Sequence, residues 1–103
     1  WNRQETNGAR LAAFTLEQNY PNPFNPSTTI SYKLDKPPNV RLVVYDVAGR
    51  LINTLLSQFQ NEGRYFVQWN ASDGLGSKLA SGMYFARLQV DGQVAISKMI
   101  LTK

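Results

Sequence analysis

The sequence predicts an all-β fold, an antiparallel β-sandwich. Two patterns carry that prediction. From Phe14 onward, turn residues interrupt the chain about every eight to twelve positions, with β-branched and aromatic runs between them. Within those runs apolar and polar residues alternate with a period of two, and no stretch sustains a helical period; the window Leu51 to Phe59 alone is ambiguous. The length, 103 residues, suits one domain with a small core.

Taken in order, residues 1–13 are polar apart from Trp1 and the run Leu11-Ala12-Ala13. They read as a linker or an N-terminal arm, set apart from a domain spanning 14–103. Leu11 to Gln18 contains the first strand. Asn19 to Pro26 holds three prolines within six residues, which fix φ and remove three donors, so it cannot be a central strand. An extended, polyproline-like crossover is expected there, with Tyr20 and Phe24 plugging it onto the core. Thr28 to Leu34 alternates, with Ile30, Tyr32 and Leu34 on the inner side. Val40 to Tyr45 follows, with Val40, Leu42 and Val44 inward and Arg41 outward. Asp46-Val47-Ala48-Gly49 turns into Leu51 to Ser57. Arg64 to Asn70 sets Tyr65, Val67 and Trp69 against Arg64, Phe66 and Gln68. Met83 to Val90 and Gln93 to Leu101 flank Asp91-Gly92, a strong hairpin signal because a type I′ turn needs positive φ at both central residues. That turn sets Val90 opposite Gln93, Leu88 opposite Ala95, Ala86 opposite Ser97 and Tyr84 opposite Met99. The count is about seven strands, as in sandwiches of this size.

The composition excludes several chemistries. With no Cys and no His, there is no disulfide framework, no thiolate zinc site, no Cys nucleophile and no histidine base. No catalytic residue, metal or cofactor is expected. The 11 Lys+Arg against 7 Asp+Glu give a net charge of +4. Those cations are scattered singly from Arg3 to Lys103, so no nucleic-acid patch is read. No apolar run is long enough to insert into a membrane. The sequence has no Met start and no basic-then-apolar leader, which marks it as a processed product or a piece of something larger.

Each remaining motif has a structural explanation beside the functional one. Asp73-Gly74-Leu75-Gly76 lacks the further acidic ligands of a calcium loop and reads as a turn. The acids sit singly beside turn residues, which argues against a paired-carboxylate site. Trp69, Tyr65, Phe66, Tyr84 and Phe85 would make a sugar-stacking platform if exposed together, but alternation sends Trp69 inward. Gly82-Met83-Tyr84-Phe85 has the form of a tyrosine corner. The last strand, Ile96 to Lys103, offers its backbone to a partner if it lies at an open sheet edge, and is simply the final strand if its other side is covered.

The string Phe14-Thr15-Leu16-Glu17-Gln18-Asn19-Tyr20-Pro21-Asn22-Pro23-Phe24-Asn25-Pro26 through Tyr32 resembles the opening of the type A C-terminal sorting domain of type IX secretion cargo. The blocks Val44 to Arg50, Trp69-Asn70, Asp73 to Gly76, Ser81 to Phe85 and Lys98-Met99 match its later parts in order. The pattern is also similar to the Ig-like domain of the flagellar hook-capping protein.

The resemblance implies a seven-stranded Ig-like sandwich at the end of a large secreted protein of Bacteroidetes-type bacteria. It implies a non-catalytic signal that carries an N-terminal cargo domain through the outer-membrane translocon. The route would run from the periplasm to the cell surface or the medium, with a sortase-like signal peptidase cutting before Phe14. Recognition would fall to Gly82, Tyr84, Lys98, Met99, Ile100, Leu101 and Lys103, with Lys98 and Lys103 steering toward an acidic receptor groove. Residues 1–13 match no block. A structural alternative makes the chain a homo-oligomer, a filament subunit that donates Leu11, Ala12 and Ala13 as a strand to the next copy. A third reading is an adhesion or carbohydrate-binding module.

Overall fold

The computed structural model describes residues 14–35 and 39–102. Within them seven strands form two antiparallel sheets. The strands are β1 (Phe14–Leu16), β2 (Thr28–Leu34), β3 (Asn39–Asp46), β4 (Leu51–Phe59), β5 (Gly63–Trp69), β6 (Gly82–Val90) and β7 (Gln93–Leu101). One sheet runs β1-β2-β5 and the other β4-β3-β6-β7.

The core lies where the inward halves of the alternating strands meet. Ile30, Tyr32 and Leu34 from β2 face Leu42 and Val44 from β3, Ala86 and Leu88 from β6, and Met99 and Leu101 from β7. Aromatic rings fill one end. Phe24 lies 5.7 Å from Trp69, and Trp69 meets Tyr84 edge-on at 5.8 Å. The buried indole donates its N–H to the Ser72 carbonyl at 2.9 Å, so the ring is buried without an orphaned donor. At the other end Tyr32 stacks on Tyr65 at 5.5 Å, and the Tyr32 hydroxyl donates to Gln60 Oε1 at 2.6 Å.

The hairpin register is the one its turn demands. Asp91 and Gly92 both take positive φ, 48° and 84°, and Val90 pairs with Gln93, Leu88 with Ala95 and Tyr84 with Met99. The ambiguous window is a strand, two residues longer than expected at its end, and its pairing with β3 shifts register twice. Those bulges take up the irregular spacing of Ile52, Leu55 and Leu56, all of which pack on the core. Val43 is buried on the outer side of its sheet, which alternation alone does not anticipate. Within the described residues the first strand ends at Leu16; beyond it the Glu17 N–H still bonds to the Ser31 carbonyl of β2, while the Gln18 side chain reaches β7.

The proline-rich crossover differs from expectation. It is a series of bends rather than a regular extended helix, and it stitches both sheets together. Tyr20 bridges Thr29 of β2, and Phe24 runs parallel to Leu101 of β7. Phe24 plugs the core as expected, but Tyr20 is 80% exposed. Directly paired residues share a face, and Thr29 points out of the sandwich, so Tyr20 does too. Its backbone makes the contact instead, with both N–H and C=O bonded to Thr29 at 3.0 and 2.9 Å.

Candidate recognition surface

The last strand, β7, has β6 along one side over its whole length. Its other side is the edge of the four-stranded sheet, and the crossover covers half of it. The Lys98 carbonyl accepts from Gln18 Nε2 at 3.0 Å. The Ile100 N–H donates to Asn22 Oδ1 at 2.9 Å, and its carbonyl accepts the Phe24 N–H at 2.8 Å. The Thr102 N–H then donates to the Phe24 carbonyl at 2.9 Å. Nearer the hairpin, alternation turns the backbone groups of Val94 and Ile96 to the same edge, and no turn or loop of the described residues bonds to them. Among the described residues, then, the crossover covers the C-terminal half of this edge and nothing covers the stretch beside the hairpin.

The seven residues singled out by resemblance divide by face. Met99 and Leu101 are core residues, 0% and 2% exposed, because their positions in β7 point between the sheets. Lys98 and Ile100 point outward, Lys98 exposed and Ile100 half-buried. Tyr84 is buried, and its hydroxyl donates to the Ala80 carbonyl at 2.7 Å. That bond makes the expected corner. Burial raises the Tyr84 pKa, and the Asp46 carboxylate adds to the rise. Gly82 is exposed at φ 150°, a backbone state that side chains disfavour, with nothing within 4 Å of an added Cβ. Lys103 lies outside the described residues, as do Leu11, Ala12 and Ala13 of the arm.

Gln18, Asn22 and Phe24, which latch β7, escaped the sequence reading as a set. The signal available was Asn22 between two prolines: neither Pro21 nor Pro23 has a donor, so the Asn side chain is the polar group on hand.

Asp73 and Asp46 build the same turn. Asp46 Oδ1 accepts the N–H of Ala48 and of Arg50, each at 2.9 Å. Asp73 Oδ1 accepts the N–H of Leu75 and of Ser77, each at 2.9 Å. Both carboxylates are occupied as turn acceptors. The Arg50 backbone N–H bond is the main cause that lowers the Asp46 pKa. Of the aromatic candidates, Trp69 and Tyr84 are in the core and Tyr65 packs against it. Phe66 is 66% exposed, on the outer face of the three-stranded sheet, and Phe85 is half-buried on the opposite side of the sandwich. These rings do not share one plane.

The two outer faces differ. The three-stranded sheet shows Thr15, Ser31, Lys33, Arg64 and Gln68 around Phe66, with Tyr20 of the crossover beside Thr29 at its edge. The four-stranded sheet shows Tyr45, Met83, Phe85, Val94, Ile96 and Ile100, with Arg41, Arg87 and Lys98 among them. Arg87 lies over the Tyr45 ring, 6.0 Å from its centroid.

No curated protein matches this chain. Among solved structures, a domain of latent PorU from Porphyromonas gingivalis is 26% identical with a TM-score of 0.70, covering 86% of this chain and 9% of PorU. PorZ, a surface component of the type IX secretion system of the same organism, is 22% identical with a TM-score of 0.58, over 85% of this chain and 11% of PorZ. FlgD from P. aeruginosa is 20% identical with a TM-score of 0.55, over 87% of this chain and 66% of FlgD. The last two establish the shared sandwich fold, while this chain spans only about a tenth of the length of PorU or PorZ. Residues 18–102 match the secretion system C-terminal sorting domain, and with that match over most of its length, the chain belongs to that family.

Proposed function

We propose that residues 14–103 are a non-catalytic C-terminal sorting signal, with residues 1–13 the linker that joins it to a cargo domain. Proteins sorted by the type IX system reach the cell surface or the extracellular space. On this reading the signal is read from the periplasm by the outer-membrane translocon, and a sortase-like peptidase cuts before Phe14. The cargo is then released or attached at the surface.

The family match carries the reading, and the polarity of the domain supports it. Phe14 pairs with Leu34, beside the β3, β4 and β6–β7 hairpin ends marked by Asn39, Phe59 and Val90. Leu101 pairs with Gly82 at the far end. A nine-residue strand spans about 30 Å at 3.3–3.4 Å per residue. The described chain therefore begins at the end of the sandwich opposite Leu101.

The test is a reporter protein with a periplasmic leader, expressed in cells with a working type IX system, with and without residues 1–103 at its C-terminus. The tagged reporter is expected outside the cell and the untagged one in the periplasm. Equal retention of both would overturn the proposal.

A further inference from the structure

We infer that the outer face of the four-stranded sheet is the surface by which this domain engages its receptor, and that the receptor presents an apolar body with carboxylates around it. The inference rests on the sorting reading and deepens it: it names the face and the chemistry of the partner.

The starting point is an asymmetry. In a sandwich with both outer faces in water, outward positions of both sheets are polar. Here the three-stranded sheet follows that rule apart from Phe66 and the crossover's Tyr20, whereas the four-stranded sheet mixes polar Thr54, Ser57 and Gln89 with more apolar side chains. Of the large apolar side chains that remain exposed, Val47, Leu51, Met83, Val94 and Ile96 belong to the β3, β4, β6 and β7 side. Cross-strand pairing sets apolar and cationic side chains side by side on this face: Tyr45 beside Phe85 beside Lys98, Arg87 beside Ile96, and Met83 beside Ile100. Exposed apolar side chains gathered on one face of a small domain point to an interaction site.

Charge selects the occupant. Arg41, Arg87 and Lys98 stand on this face. Among the described residues no carboxylate occupies an outward position of β3, β6 or β7. Asp46 borders the face at its end, but the Ala48 and Arg50 amides and the Arg50 guanidinium already engage its carboxylate. A second copy docked face to face would set three cations against three, which disfavours a dimer here. An acidic partner is favoured by the same charges.

Shape favours a protein over a fluid lipid surface. A depression of about 320 Å³ opens between Tyr45, Val47, Phe85 and Ile96, with Arg87 and Asp46 at its margin. It is large enough for a side chain. The Arg87 guanidinium beside it lies 6.0 Å from the Tyr45 ring centroid, and a guanidinium can meet a carboxylate with two parallel hydrogen bonds. An apolar anchor beside an Arg–carboxylate pair is a usual centre of protein–protein binding energy. The stretch of the β7 edge at Val94 and Ile96 that no described residue covers borders the same face, and strand addition is one way a protein partner can engage such an edge.

The experiment uses the reporter fusion in secreting cells, with Arg87→Glu, Ile96→Glu and, on the other sheet, Lys33→Glu. Ile96 is 63% exposed, so its variant keeps the inference testable if Arg87→Glu perturbs folding. With thermal midpoints unchanged in the purified chains, export is expected to fall at least about tenfold for Arg87→Glu and Ile96→Glu, and to stay at the parent level for Lys33→Glu. Parent-level export of Arg87→Glu and Ile96→Glu overturns the inference and leaves the sorting reading standing. A parent fusion that is itself retained overturns the sorting reading, and the inference falls with it. Two further results overturn the choice of partner: binding of the purified chain to phosphatidylglycerol vesicles that Arg87→Glu abolishes, or dimers in sedimentation that Ile96→Glu dissolves.

Discussion

Asn22 Oδ1 accepts the backbone N–H of Ile100 at 2.9 Å, a bond that closes 78 residues of chain. It caps an edge strand that would otherwise present a row of open donors and acceptors. With the Phe24 backbone bonds on either side of it, the end of β7 is held on both flanks. A receptor that reads the folded domain meets the outward side chains of β7, not its C-terminal backbone.

Asn22→Ala removes that latch. The loss is expected to cost about 1 kcal/mol, the net worth of one hydrogen bond. Hydrogen exchange should show it locally: the Ile100 amide speeds up strongly, while Leu88 in the middle of β6 follows only the change in global stability. Equal exchange at Ile100 in both proteins would mean the latch is not formed in solution.

Tyr84→Phe keeps the ring against Trp69 and deletes the bond to Ala80. The expected loss is about 0.5–1.5 kcal/mol, with thermal midpoint lowered by roughly 4–8 °C per kcal/mol for a domain of this size. Because the ring is buried, export of the fusion should follow the stability change. Lost export with an unchanged midpoint would give the hydroxyl a direct role in recognition.

Met99→Ala and Met99→Leu separate packing from recognition. Met99 is fully buried, so truncation is expected to cost about 2–5 kcal/mol, whereas the volume-conserving Leu should cost under about 1.5 kcal/mol. Export should fail for Ala only where the variant has unfolded, above its lowered melting point, and persist for Leu. Failure of Met99→Leu while the domain remains folded would show that the thioether itself is read.

Stability should fall at both extremes of pH. Asp46 has a lowered pKa in the folded chain, so its contribution is in place above the ordinary carboxylate value of 3.8 and is lost as pH falls through the folded value. The difference between the parent and Asp46→Ala in chemical denaturation should shrink on acidification. Tyr32 moves the other way, from 10.0 up to about 12, chiefly by desolvation. The unfolded chain releases that proton first, so stability is full below pH 10 and declines between about 10 and 12. Tyr32→Phe should flatten that alkaline limb, and Tyr84, also raised, supplies what remains. An unchanged limb in Tyr32→Phe would contradict the assignment.

The parts of the fold legible in the sequence are those governed by neighbours along the chain. Asp91-Gly92 determined its hairpin register through turn geometry, and Ile30, Tyr32 and Leu34 announced their inner face through a period of two. The Tyr84 corner was readable for the same reason. What escaped depends on contacts between distant segments. Tyr20 looks like a core plug until its pairing with Thr29 turns it outward. Val43 looks solvent-facing until its row neighbours cover it. Met99 and Leu101 looked like recognition residues beside Lys98, and only the placement of β7 against both sheets separates the inward pair from the outward one. The latch from Gln18, Asn22 and Phe24 required the crossover to lie along β7, which no local pattern encodes.

The most direct test of the sorting role is export of the fusion in paired strains, one with the outer-membrane translocon and one without it. The reporter carrying this chain is expected at the surface or in the medium of the first strain and confined to the periplasm of the second. Equal release from both strains would contradict the account, because the chain would then leave the cell by a route that does not read it.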